Sequence, residues 1–97
     1  MEFVDSARGQ LAPLAQQVID ALDADSQPLE LSFFTLILIR INGMQADMDL
    51  MNVFLELSTT AFQGFVFSRE QSRRIDELLG AAEDIALTLS VSSDQSH

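Results

Sequence analysis

The 97-residue chain contains no cysteine, lysine, tryptophan or tyrosine. Without cysteine it can form no disulfide, thiolate nucleophile or cysteine metal site, and without lysine it can form no Schiff base. The first residues, MEFVDSARGQ, also lack the basic and apolar regions of a signal peptide. Because a protein without cysteine suits a reducing compartment, we expect the chain to be cytoplasmic.

Histidine occurs once, as the terminal His97, so neither a catalytic triad nor a histidine metal cluster can be assembled. Fifteen acidic residues against five arginines give a formal charge of −10 and an isoelectric point near 4.1. Such a charge argues against direct binding of nucleic acid or of an anionic membrane. We predict no cofactor, no metal and no enzyme activity of the chain's own.

Long uninterrupted apolar runs are missing as well. The longest nearly apolar run, residues 29–41, has thirteen residues, whereas a membrane-spanning helix needs about 20. Apolar residues nevertheless make up 47% of the chain, which is a heavy load for so small a domain. Some of that load is therefore expected to be buried against another chain.

The apolar residues concentrate between Pro28 and Gly64, where they recur every three or four residues. This is the spacing of one helix face. The stripe consists of Phe34, Ile37, Ile41, Met44, Met48, Met51, Leu55, Ser58, Phe62 and Phe65. A second set widens it with Phe33, Leu36, Leu50, Val53, Phe54 and Leu57. The spacing predicts one long helix over 28–64.

A β-strand is the alternative for the start of this stretch. Thr35, Ile37, Ile39 and Ile41 alternate with other residues and lead into Asn42-Gly43, a dipeptide common in hairpin turns. No second alternating run follows, because QADMDLMNVFLEL has helical spacing. The helix is therefore the better interpretation.

The length of this predicted helix bears on the assembly of the protein. Thirty-seven residues at about 1.5 Å each would span roughly 55 Å, far more than a compact domain with a radius of gyration of about 13 Å can cover. Either the helix bends or breaks at Gly43, or a second chain covers it. The stripe keeps its phase across Gly43, which favours a continuous or mildly bent helix, and a continuous helix favours a homodimer.

Shorter helices are predicted on either side. A proline inside a helix costs about 3 kcal/mol, so we predict a short turn over residues 4–8 and then a helix over 12–23 with Pro13 in its first turn. Ser68 and Gln71 form the pattern of a capping box that starts the last helix, over 68–90. The apolar stripes of these segments are Val4, Ala7, Leu11, Leu14, Val18 and Ala21, and Ile75, Leu78, Ala82, Ile85 and Leu89.

Together these patterns predict an all-α protein of three main helices, packed as a small helical bundle and dimeric through part of the central stripe. Residues 1–91 are expected to form a single helical domain, and residues 92–97 a disordered polar tail.

Two groups of polar and charged residues are candidate sites. Asp47, Asp49, Asn52 and Glu56 could supply oxygen ligands, but residues two apart point in different directions on a helix and no histidine completes the set. A solvated polar face is the better interpretation of these acids.

The second group, Arg69, Arg73 and Arg74, is a candidate anion contact. The alternative is pairing within the helix, because Glu70 precedes Arg74 by four residues and Glu77 follows Arg73 by four.

The function favoured by these observations is that of a non-enzymatic regulatory or adaptor protein that masks a protein partner, such as an antiactivator, inhibitor, immunity protein or chaperone. The alternatives are a small structural subunit of a larger enzyme and an acidic nucleic-acid mimic that inhibits a nucleic-acid-binding protein. The predicted partner or dimer interface comprises Phe34, Ile37, Ile41, Met44, Met48, Met51, Phe54, Leu55, Phe62 and Phe65.

Overall fold

A computed structural model describes the backbone of residues 2–59 and 64–95, and this part of the chain folds into four helices with no strand. The helices are α1 (Glu2–Ala24), α2 (Pro28–Asn42), α3 (Asp47–Ser58) and α4 (Arg69–Gln95). The all-α prediction is confirmed. The alternative strand is wrong, because residues 35–41 all lie in α2.

The four helices form a small bundle in which each helix packs against its neighbours. Helix α1 packs against α2 and α4, and α3 packs against α2 and α4, so the order around the bundle is α1, α2, α3, α4. The radius of gyration is 13.6 Å, close to the value of about 13 Å for a compact domain of this length. The α1–α4 side of the bundle therefore lies opposite the α2–α3 side.

The central segment breaks at the place where the sequence allowed a bend or break. Residues 43–46 leave the helix, so two helices replace the single helix predicted over 28–64 and the total is four rather than three. The Gly43 amide closes α2 by donating to the carbonyls of Ile39 and Arg40, at 3.0 and 3.2 Å. The shortened helices no longer need a second chain to cover their length, and the homodimer stays a prediction.

Side chains on both sides hold this break in place. Arg8 of α1 donates from Nε to the Ile41 carbonyl at 3.4 Å and from Nη2 to the Met44 carbonyl. Ile41 lies in the last turn of α2 and Met44 lies two residues beyond its end, where the helix dipole favours a cation. On the other side, the Asp49 carboxylate accepts from the amides of Gln45 and Ala46, at 3.0 and 3.1 Å, and so begins α3.

Helix α3 also ends earlier than predicted. The Thr59 hydroxyl donates to the Glu56 carbonyl at 2.7 Å, and the Ser58 hydroxyl donates to the Phe54 carbonyl at 2.9 Å. Hydroxyl groups that satisfy main-chain carbonyls in this way compete with continuation of a helix. Gly64, the predicted end, does have a left-handed φ of 73°, but it lies six residues beyond Ser58.

Helix α1 runs through Pro13, contrary to the predicted turn over 4–8 and helix over 12–23. The buried side chains of α1 are Val4, Ala7, Leu11, Ala15, Val18 and Leu22. Burial of each Val or Leu among them contributes about 1.5 to 3 kcal/mol, which together exceeds the proline cost of about 3 kcal/mol. Pro13 itself lies on the exposed side of the helix, so core packing on both sides of it keeps the helix continuous.

Helix α4 begins as predicted and ends later. The Gln71 amide donates to the Ser68 hydroxyl at 3.2 Å and the Ser68 amide donates to the Gln71 side chain at 2.9 Å, which is the predicted capping box. The helix continues to Gln95 instead of ending near Ser90, because no glycine or proline after Gly80 stops it. Ser96 and His97, the end of the predicted tail, lie outside the described residues.

Replacing Pro13 by alanine should stabilise the protein by about 2 kcal/mol. The change restores a main-chain donor and removes the ring clash, and the greater freedom of the unfolded chain offsets part of this gain. Urea unfolding monitored by circular dichroism measures the difference. Pro28→Ala is the matched control, because Pro28 occupies the first turn of α2, where proline is well tolerated. A loss of stability in Pro13→Ala, or an equal gain in Pro28→Ala, would contradict this account.

Candidate functional site

The ten residues predicted to form an interface are distributed between the core and the surface. Four of them lie in the core with at most 1% of their surface exposed, namely Phe34, Ile37, Ile41 and Met44. Met51, Phe54 and Phe65 are half-buried, and Phe62 lies outside the described residues. Only Met48 and Leu55, exposed by 68% and 57%, present most of their side chains to solvent among those that the structure describes.

The break at residues 43–46 explains this division. A stripe keeps one orientation only while the helix is continuous, so the phase set by Phe34, Ile37 and Ile41 does not extend into α3. There the second apolar set faces the core instead, with Leu50, Val53 and Leu57 buried. The first set consequently turns outward at Met48 and Leu55.

Helices α2 and α3 carry most of the exposed apolar side chains. Seven large apolar residues among those described are exposed, and five of them lie on these two helices. We call this set the outer face: Leu29, Leu36, Ile39, Met48 and Leu55. The predicted interface did not include Leu29, Leu36 or Ile39, because apolar residues occur on all sides of α2 and periodicity alone could not separate its inner side from its outer side.

An ion pair crosses the outer face between its two helices. Arg40 Nη2 of α2 lies 3.3 Å from Glu56 Oε1 of α3, and both side chains are partly exposed. Leu36 lies one helical turn before Arg40 and Leu55 adjoins Glu56, so apolar side chains flank the pair. A surface pair of this kind contributes at most about 1 kcal/mol, and here it links α2 to α3 across the outer face.

Charge is distributed unevenly over the bundle. Helix α2 carries only Glu30 and Arg40, whose formal charges cancel, although the whole chain has a charge of −10. The outer face therefore includes the helix of lowest net charge. The α2 part of the outer face is thus neutral overall and presents little electrostatic barrier to another protein surface, whereas α3 contributes the acids Asp47, Asp49 and Glu56.

Two of the candidate metal-ligating acids of α3, Asp49 and Glu56, have structural roles. The amides of Gln45 and then Ala46 donate to Asp49 and hold the pKa of its carboxyl below the ordinary value. Glu56 pairs with Arg40. Within residues 2–59 and 64–95 no group of three or more acidic or histidine side chains could hold a metal ion.

The three arginines of the candidate anion contact are largely engaged by acids of their own helix. Arg73 lies 2.8 Å from Glu70 and 3.8 Å from Glu77, and Arg74 lies 2.9 Å from Glu70. The hydrogen bond from Arg73 is the main cause of the lowered pKa of Glu70. This is the predicted alternative of pairing within the helix. Arg69 has no ion pair among the described residues, and the anion contact stays a prediction.

A buried polar cluster joins the start of α4 to the α1–α2 connection. Gln71 is 1% exposed, and its Nε2 lies 2.6 Å from Asp25 Oδ2 and 2.5 Å from Gln27 Oε1. Gln27 in turn donates to the Val66 carbonyl at 2.7 Å. The capping-box pattern predicted that the Gln71 side-chain oxygen accepts from the Ser68 amide. Nothing in the local sequence indicated the partners of the Gln71 side-chain nitrogen, because they lie more than 40 residues away.

An open groove of about 670 Å³ lies between α1 and α4, on the side of the bundle opposite the outer face. Its lining combines apolar, very small and polar residues. On α1 these are Phe3, Ser6, Ala7, Gly9, Gln10, Pro13 and Leu14, and on α4 they are Ala81, Asp84, Ile85 and Thr88. Sequence reasoning did not identify this groove, because its two walls come from opposite ends of the chain.

No helix in the described part of the chain combines the length and the apolar character needed to cross a membrane. Comparison of the chain with protein families, with curated protein sequences and with solved structures finds no match. Any functional conclusion therefore has to come from the surfaces described above.

Replacing Gln71 by alanine should destabilise the protein by about 1 to 3 kcal/mol, because the buried cluster loses its central donor and the Ser68 amide loses its acceptor. The free energy of unfolding in urea measures the loss. Gln10→Ala is the control, since Gln10 is exposed and makes no hydrogen bond among the described residues, and it should change stability by no more than about 0.5 kcal/mol. Equal effects of the two changes would refute a special role for Gln71.

Asp49 should contribute to the dependence of stability on pH. The pKa of Asp49 is lowered in the folded protein. Its contribution to the free energy of unfolding is therefore complete above the unfolded-state pKa of about 3.9, and it is lost as the pH falls through the pKa of the folded protein. Asp49→Asn should therefore be less stable than the wild type at pH 7, and the difference should shrink below pH about 4. Urea unfolding across this pH range, with Asp47→Asn as the control in the same helical turn, tests the assignment. An effect of equal size in Asp47→Asn would point to the helix dipole alone.

Proposed function

We propose that this chain is a non-enzymatic regulatory or adaptor protein that binds and masks a protein partner through the outer face of α2 and α3. The observation that carries the proposal is the concentration of exposed apolar side chains on two adjacent helices whose remaining apolar residues already fill the core. Scattered apolar residues on a surface need no explanation, but a group on one side of a small domain is typical of an interaction site.

The energetic gain available at the outer face is large for so few residues. Burial of a fully exposed Leu, Ile or Met side chain contributes about 1.5 to 3 kcal/mol, and the five residues of the outer face are between 56% and 73% exposed. Few charges have to be desolvated on α2, because Glu30 and Arg40 are its only charged side chains. Met48 adds a flexible side chain that can adapt to the shape of a partner.

The engagement of Asp49 and Glu56 supports a binding role for α3 over a catalytic one. Asp49 is used as a helix cap and Glu56 as the partner of Arg40, so neither is free to act as an unpartnered general base. Masking by an antiactivator, inhibitor, immunity protein or chaperone requires only a surface. A cytoplasmic setting and a partner that is itself a protein complete the proposal.

The experiment compares two variants that are matched in exposure. Leu55 on the outer face and Leu87 on α4 are each 57% exposed, so Leu55→Gln and Leu87→Gln should perturb the folded protein to a similar extent. Tagged wild type and both variants are expressed in the cells that naturally produce the protein, and copurifying proteins are quantified by mass spectrometry. A specific partner should be retained by Leu87→Gln and lost from Leu55→Gln, with little sensitivity to salt because apolar contacts dominate.

Recovery of the same proteins with all three forms would contradict the proposal. The alternative occupant of the outer face is a second copy of the chain. Sedimentation analysis of the purified proteins tests for it by measuring their oligomeric state. A wild-type dimer that becomes monomeric in Leu55→Gln would assign the outer face to the predicted homodimer.

A further inference from the structure

The groove between α1 and α4 does not belong to the outer face, and the proposed masking of a partner makes no use of it. Its lining positions recur every three or four residues along both helices, so the groove follows the helix axes over about three turns of α1. Ala7, Gly9 and Ala81 give it a floor of small side chains. A third helix can approach two packed helices closely where small residues lie between them.

A main-chain acceptor in the groove lacks its usual donor. In a continuous helix the carbonyl of residue 9 accepts from the amide of residue 13, and proline has no amide hydrogen. Pro13 thus leaves the Gly9 carbonyl without this bond at a position that lines the groove. Gly9 is exposed and carries no side chain of its own that could cover this carbonyl.

A carboxylate in the same groove also lacks a protein partner. Asp84 lines the groove, and within the described residues its carboxylate forms no ion pair and no hydrogen bond. The nearby Thr88 hydroxyl donates to the main-chain carbonyl of Asp84 at 3.0 Å and not to its side chain. The groove therefore presents two open acceptors, one of which is negatively charged.

Apolar side chains complete the lining. Phe3 and Leu14 of α1 are half-buried at the edge of the core, and Ile85 of α4 is 8% exposed. A ligand that fits needs hydrogen-bond donors with positive charge and an aliphatic part that covers these residues. An arginine side chain combines these features, because its methylene groups pack on apolar surface while its guanidinium donates several hydrogen bonds.

We infer that the α1–α4 groove binds an arginine-bearing amphipathic helix of a partner protein, with an arginine donating to the Asp84 carboxylate and the Gly9 carbonyl. Charge complementarity identifies this occupant, since the chain has a charge of −10 and the groove contains no basic residue. A second copy of this acidic chain fits the groove poorly. The groove does not involve the outer face, so an adaptor of this form could hold two partners on opposite sides of the bundle.

The test uses a synthetic helical peptide of alanine, leucine and arginine, about 15 residues long, and a matched peptide in which glutamate replaces arginine. Binding to ¹⁵N-labelled protein is followed by NMR. The arginine peptide should shift the amides of Gly9, Ala81 and Thr88 but not those of Leu36 and Met48, and the glutamate peptide should not bind. A wild-type protein that gives no shifts with the arginine peptide, or shifts at the outer face instead, would overturn the inference.

Variants locate the two acceptors. Asp84→Asn should weaken binding of the arginine peptide about tenfold or more, since a hydrogen bond to a charged group is lost, and Asp76→Asn, on α4 but outside the groove, should not. Pro13→Ala should also weaken binding several-fold, because its new amide takes the Gly9 carbonyl, although the same change stabilises the fold. Unchanged affinity in Asp84→Asn would refute the assigned contact. Leu55→Gln should bind the peptide normally, which separates this result from the test of the outer face.

Discussion

The contacts of Arg8 with the carbonyls of Ile41 and Met44 tie the first helix to the break on which the arrangement of the second half of the bundle depends. They satisfy acceptors at the end of α2 and place a positive charge at the negative end of that helix. Because α2 stops there, α3 can turn and pack against α4 as well as α2. The same turn changes the phase of the apolar stripe, which buries Leu50, Val53 and Leu57 and leaves Met48 exposed. The surface proposed for partner binding thus depends on a break that a residue of the first helix contacts.

The local parts of this fold could be predicted from the sequence, and the parts set by distant residues could not. Helical periodicity identified the all-α class, and Ser68 with Gln71 identified the start of α4, because a capping box is complete within four residues. The break at Gly43 was only an option, since Arg8 lies 33 residues from Ile41 in the chain. The continuity of α1 through Pro13 was missed because it depends on tertiary packing of residues on both sides of the proline.

The candidate surfaces show the same division. Met48 and Leu55 belonged to the predicted interface, whereas Phe34, Ile37, Ile41 and Met44 of the same set fill the core. A stripe of apolar residues reveals that a surface will be covered, but not whether the cover comes from the same chain. Leu29 and Ile39 could not be assigned because α2 is apolar on several sides. The α1–α4 groove depends on the antiparallel pairing of the two ends of the chain, for which the sequence carries no local signal.

The exposure of Met48 makes the outer face sensitive to oxidants. A thioether that is 68% exposed is accessible to peroxide, and conversion to the sulfoxide would add a polar, chiral group to the outer face. Met44, only 1% exposed, is shielded by the core. Oxidative damage would therefore alter the surface of this protein before it alters its fold, and an oxidised molecule could remain folded while its outer face had become polar. Enzymatic reduction of the sulfoxide would restore the apolar surface without refolding of the chain.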